Sequence, residues 1–146
     1  MEYSGVVEIQ APRSRVWAFV MDPQQVGRCG PGVETIEVVD ATHYRAQAKV
    51  GLGIISARFS VDLELTEAVE PDRAVITASG QAPGSAADAI GEITLSGPAD
   101  GPTTMAWAAT VTISGSLASV GSRLIESTAD KLIGETFACI RSKLEA

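Results

Sequence analysis

Side chains that carry most enzymatic chemistry are scarce in this sequence. It has a single histidine, His43, and two cysteines, Cys29 and Cys139, among 146 residues. A Ser-His-Asp or Cys-His arrangement would have to be built on His43. That residue shares a strand face with Arg45, Gln47 and Lys49, the pattern of a solvated side. One histidine and two distant cysteines cannot close a tetrahedral metal site, and no acidic loop has the spacing that harder cations need. No catalytic residue, metal or cofactor is therefore expected. Two thiols make no disulfide framework, which points to the cytoplasm. Cys29 reads as a buried turn cysteine, in preference to a reactive thiol activated by Arg28.

Positive charge is scarce as well. Eleven Lys and Arg against eighteen Asp and Glu give a formal net charge of −7, so the basic stripe that neutralises phosphates is missing and a nucleic-acid partner is excluded. Anionic membrane surfaces are disfavoured for the same reason. Long apolar runs are absent: Ser122, Arg123, Glu126, Asp130 and Lys131 interrupt the last helical segment, well short of the roughly 20 apolar residues that span a bilayer. The amino terminus alternates instead of pairing a basic region with an apolar run, so no cleavable export signal is expected. Membrane contact is expected to be peripheral at most, through a partner.

What is present is small and apolar. Hydrophobic residues make up 45% of the chain but aromatics only 5%, so the interior must be built of Ala, Val, Ile and Leu. The length fits one domain, 1–146. Glu2 to Gln10 alternates as a strand, with Tyr3, Gly5, Val7 and Ile9 on one face. Pro12 suits the first position of a helix carrying Val16, Trp17 and Val20, and Asp22-Pro23 with Gln25 resembles an N-cap that starts a second helix. Gly30-Pro31-Gly32 ends it. Six strands follow, Val33–Asp40, His43–Val50, Ile54–Glu67, Arg73–Gln81, Ala87–Ser96 and Thr103–Ser114, separated by short turns that favour antiparallel hairpins. From Leu117 to Leu144 the period becomes helical. The expected fold is α+β, a seven-stranded antiparallel sheet curved around a long final helix.

Strand parity assigns the inner face. Ala46, Ala48, Ala57, Ala78, Ala89 and Ala109 fall on it with Ile55, Ile76 and Ile93, against only Phe59 and Trp107 as large rings. Interiors pack to a density of about 0.75, and an empty void costs on the order of 24 cal/mol per Å³. Two readings stay open: the helix packs close against the alanines, or the space holds an apolar ligand, with Leu117, Val120 and Leu124 completing the wall. Trp107 is correspondingly core filler or pocket wall, and Trp17 is expected to cover the sheet edge. A ligand would enter at the loop end, between Cys29, Pro31 and Gly32, the Gly51–Gly53 turn and the start of the final helix.

Ala11-Pro12-x-x-x-Val16-Trp17, Asp22-Pro23, Cys29-x-Pro31-Gly32, Ala78-Ser79-Gly80, Gly121-Ser122-Arg123-Leu124-Ile125 and Ala129-x-Lys131-Leu132 together resemble the carbon monoxide dehydrogenase G-subunit family, over essentially the whole chain. The resemblance implies the helix-grip fold of the START-like (SRPBCC) superfamily with a hydrophobic cavity under the last helix. It also implies an accessory role beside a molybdenum hydroxylase such as carbon monoxide dehydrogenase, through membrane recruitment or binding of a quinone or lipid. Some members carry a carboxyl-terminal extension toward the membrane, whereas this sequence stops at Ala146. Two other readings compete: a START-like cyclase or dehydratase, for which only Tyr3 and Tyr44 offer inward polar groups, and an interaction module with a collapsed cavity.

Overall fold

The computed structural model describes residues 1–146. Strand β1 (Glu2–Ile9) is followed by helices α1 (Arg13–Val20) and α2 (Pro23–Val26), a 3-10 turn over Gly27–Cys29, and six strands: β2 (Val33–Val38), β3 (His43–Leu52), β4 (Ile55–Val69), β5 (Arg73–Ala82), β6 (Ser85–Ser96) and β7 (Thr103–Gly115). A second 3-10 segment, Ser116–Val120, leads into α3 (Ser122–Glu145). The sheet is antiparallel throughout, in the order β1-β7-β6-β5-β4-β3-β2. Consecutive hairpins build β2 to β7. The chain crosses from one edge to the other only once, through α1 and α2.

Local signals account for these elements. Asp22 caps α2 by accepting the Gln24 N–H at 2.9 Å, and the Gln25 amide donates to the same carboxylate at 2.7 Å. Pairing of Leu65 with Ile76 and then Glu67 with Val75 leaves Thr66 as an extra residue. Such a bulge bends the strand and strengthens its twist. Two boundaries differ from expectation. The long helix begins at Ser122 and not at Leu117, because Gly121 adopts φ +101°, a conformation outside the helical range that glycine reaches without penalty. Strand β3 continues through Gly51 and Leu52, so the turn is confined to Gly53 and a fully exposed Ile54.

Only 18 of the 146 residues are buried, and the buried apolar clusters are two separate groups of 11 and 3 residues, so the interior is not one solid core. The larger group joins Ile9, Val16, Trp17, Phe19, Leu95 and Met105 to Ile140 and Leu144 at the end of α3. Trp17 belongs to this core and does not cover a sheet edge: the α1 face that carries it packs inward beside Val16. The smaller group is Leu52, Phe59 and Leu117, at the opposite end of the sheet.

Cys29 and Cys139 form a disulfide, with Cα atoms 5.4 Å apart. This corrects the expectation of two unpaired thiols, and with it the ground for inferring a cytoplasmic location. The 3-10 turn after α2 places Cys29 against the carboxyl-terminal half of α3, a proximity that 110 residues of separation conceal in the sequence. No helix is long and apolar enough to cross a membrane.

Candidate functional site

Between the two buried groups, α3 stands off the sheet. The larger cavity there has a volume of about 520 Å³. Ala48, Phe59, Ala78, Ala89 and Ala109 line its sheet side, Leu117 one end, and Ile125, Leu132, Ile133 and Phe137 its helix side. A second cavity of about 330 Å³ lies beneath the end of α1 and α2, against Val20, Met21, Val26, Leu65, Ile76, Ile93 and Ile140. Trp107, Ala109, Thr136 and Phe137 border both. Four of the six alanines assigned to the inner face, Ala48, Ala78, Ala89 and Ala109, border open volume, and Trp107 lies beside it.

Five residues expected on the wall lie elsewhere. Ala46 is buried but borders neither cavity. Ala57 and Leu124 pack against the Leu52–Phe59–Leu117 group. Ile55 pairs with Leu52 at the hairpin end, where it is 48% exposed. Val120 belongs to the 3-10 segment ahead of Gly121, so it does not share the inward face of α3.

Trp107 owes its position to Gly5, its cross-strand partner. A Cβ at Gly5 would stand 2.9 Å from the Trp107 indole nitrogen, so glycine lets the ring lie against β1. From the other side Phe137 meets it, ring centroids 5.2 Å apart and planes tilted by 30°.

A polar groove adjoins the larger cavity. Pro31, Gly32, Gly51 and Gly53 line that groove with Lys49, Ser127, Lys131 and Glu135, and it shares Val50, Thr128 and Leu132 with the cavity. Four of the five expected portal residues therefore come together. Cys29 does not join them, because it is buried in the main core and bonded to Cys139. Gly32 is fixed in place: a Cβ there would be 2.0 Å from the Lys49 carbonyl oxygen, and the Lys49 N–H donates to the Gly32 carbonyl at 2.9 Å.

Strand residues on the inner face are apolar except Tyr3, Tyr44, Ser85 and Thr103. Two of these serve the fold: Thr103 donates to the Ala11 carbonyl at 2.8 Å, and Ser85 accepts the Leu117 N–H at 2.9 Å. Tyr44 donates to the Ala41 carbonyl at 2.9 Å. Tyr3 has only a 3.5 Å contact to the Met1 sulfur. Burial, followed by the negative charges of Glu126 and Asp130, raises the Tyr3 phenol above its ordinary value, so it is a neutral hydroxyl at the cavity.

His43 lies on the outer face, its Nδ1 2.9 Å from Asp40 and its Nε2 3.4 Å from Glu64. The Asp40 hydrogen bond is the main cause that raises its pKa above the ordinary 6.5. Asp40 is lowered first by the Thr42 backbone N–H and then by His43. The sign follows: the His43 contribution to stability is fully present below about pH 6.5 and fades as pH rises through the higher folded value. The Asp40 contribution is present above its ordinary 3.8 and fades as pH falls through the lower folded value. Exposure keeps both contributions small. An NMR titration of this single imidazole should give a midpoint above 6.5 that drops back in Asp40→Asn. A midpoint at or below 6.5 in the unsubstituted protein would contradict the pairing.

Comparison with known proteins agrees with this geometry. The sequence profile of CoxG, the family of the carbon monoxide dehydrogenase G-subunit, matches residues 5–145. The chain belongs to this family. No curated protein sequence matches it. Among solved structures, a conserved protein from Geobacillus kaustophilus superposes with a TM-score of 0.91 at 22% identity, covering 99% of this chain and 95% of the other. A START superfamily protein from Mycobacterium smegmatis gives 0.72 at 13%, covering 99% and 97%. The Zhui aromatase/cyclase from Streptomyces sp. R1128 gives 0.70 at 14%, covering 99% and 93%. At these identities the structures establish the START-like fold alone.

For this CoxG-family chain, strand parity failed to show the helix side of the cavity. Ile125, Ala129, Leu132, Ile133, Thr136 and Phe137 recur at intervals of three and four along α3 and border the larger cavity. The same 3.6-residue period marks them in the sequence once the helix is known to face the alanines.

Proposed function

We propose that this protein is a non-catalytic carrier whose cavity holds an apolar ligand of the quinone or lipid type. The observation that carries this reading is the open volume beneath α3, walled by small and apolar side chains and adjoining a polar groove. Pockets of 300–1,000 Å³ with a few polar groups suit small molecules held by apolar area. An amphiphile fits both parts, its apolar portion inside and its polar end near Thr128 and Lys131. Membership of the CoxG family supports service to a molybdenum hydroxylase such as carbon monoxide dehydrogenase, by recruiting it to the membrane or delivering quinone to it. The ligand-binding set is Ala48, Phe59, Ala78, Ala89, Trp107, Ala109 and Leu117, with Ile76 and Ile93 in the second chamber; Pro31, Gly32, Gly51 and Gly53 form the portal.

A cyclase-type reaction finds less support. Its acid or base would have to come from the Tyr3 or Tyr44 hydroxyl, since His43 faces outward and Glu92, the one carboxylate residue bordering either chamber, accepts from Arg73 Nε at 3.0 Å. Protein purified from its native host, denatured and extracted with organic solvent, should release an apolar molecule detectable by mass spectrometry in near-stoichiometric amount. An empty protein that also fails to bind an apolar fluorescent probe would overturn the carrier reading.

A further inference from the structure

The interior is divided, and the divider is specific. Along α3, the larger chamber is bordered from Ile125 to Phe137, with the polar groove beside it from Ser127 to Glu135, and the smaller chamber from Thr136 to Ile140. The two chambers therefore follow one another along the helix. Trp107 and Phe137 stand at their junction with ring centroids 5.2 Å apart, too close for an alkyl chain to pass between the rings. Trp107 is backed by Gly5 of β1, whereas Phe137 comes from α3, borders both chambers and packs at the edge of the main core.

We propose that the Trp107–Phe137 pair is a length stop, so that ligands occupy the larger chamber and the smaller one is reached only when Phe137 turns aside. This rests on the carrier reading and adds a specificity-determining residue to it. The helix wall of the larger chamber runs from Ile125 to Phe137, twelve steps that rise about 18 Å along the axis, which sets the apolar length accepted before the stop. Passing it adds the three further residues to Ile140, roughly 5 Å.

The test uses the full chain and straight-chain alcohols of increasing length, competing with bound N-phenyl-naphthylamine. Affinity in the unsubstituted protein should climb by about fourfold per added methylene, the gain from burying each one, and then stop climbing at a defined length. In Phe137→Ala the climb should continue past that length. Phe137→Leu, which keeps an apolar branched side chain on the helix, carries the same expectation if the alanine variant does not fold. An unsubstituted protein without a break, or an identical break in a variant whose melting curve is unchanged, overturns the length stop and leaves the carrier reading standing. Failure of the probe and of every alcohol to bind the unsubstituted protein overturns both.

Discussion

Reduction of the Cys29–Cys139 bond is expected to lower the melting temperature by roughly 5–15 °C. The bond closes a loop of 110 residues. In the chain-entropy treatment a loop of that size restricts the unfolded chain by about 4–5 kcal/mol, and measured native disulfides contribute typically about 2–4 kcal/mol. For a domain of this size each kcal/mol moves the midpoint by roughly 2–4 °C. The location adds a local consequence. Cys139 lies on the half of α3 that carries Ile140 and Leu144 into the main core, so the bond ties the helix to the turn after α2 where the fold is already most tightly packed. Calorimetry of oxidised protein against protein reduced by a dithiol, with thiol content measured in both, checks this. Cys29→Ala with Cys139→Ala should match the reduced protein within about 1 kcal/mol, since neither leaves a buried polar group. Equal midpoints in the oxidised and fully reduced forms would refute it.

The sheet was legible because alternation survives wherever one face is wet. In β4 the run Ala57, Phe59, Val61, Leu63 against Arg58, Ser60, Asp62, Glu64 fixes both the strand and its inner side, and the observed pairing with β3 and β5 keeps that register. The alanines on that side led to the cavity. The final helix was legible in kind but not at its start: Leu117, Val120 and Leu124 continue a helical spacing across Gly121, and spacing does not register a glycine at positive φ. That shift removed Val120 and Leu124 from the wall and left Ile125 and Leu132 to take their place. The disulfide was illegible for a different reason. Nothing in the sequence sets the distance between the Gly27–Cys29 turn and the far half of α3, because it depends on how the helix lies across the sheet. Division of the cavity was hidden likewise, since it needs Gly5, Trp107 and Phe137 from three elements to meet.

Ala109→Phe should weaken binding of an apolar probe by at least about tenfold, equivalent to about 1.4 kcal/mol, while the melting temperature stays nearly unchanged. Ala109 borders both chambers beside Trp107, so an added ring occupies space from which the ligand would be excluded in each. In a filled core the same enlargement typically costs ~1–3 kcal/mol through displaced neighbours; here the new side chain has open volume to enter and apolar surface to cover. Ala78→Phe tests the larger chamber through a different strand, because Ala78 borders that chamber but not the smaller one. Ala106→Phe serves as the contrast. It lies on the same strand three residues earlier, on the exposed outer face opposite Val6, and should leave probe binding intact. The pattern to seek is binding lost at Ala109 and Ala78, kept at Ala106, with all three proteins folded. Unfolding of both inner variants would mean that α3 closes onto the alanines in solution and that the interior is solid, which would remove the cavity and every function built on it.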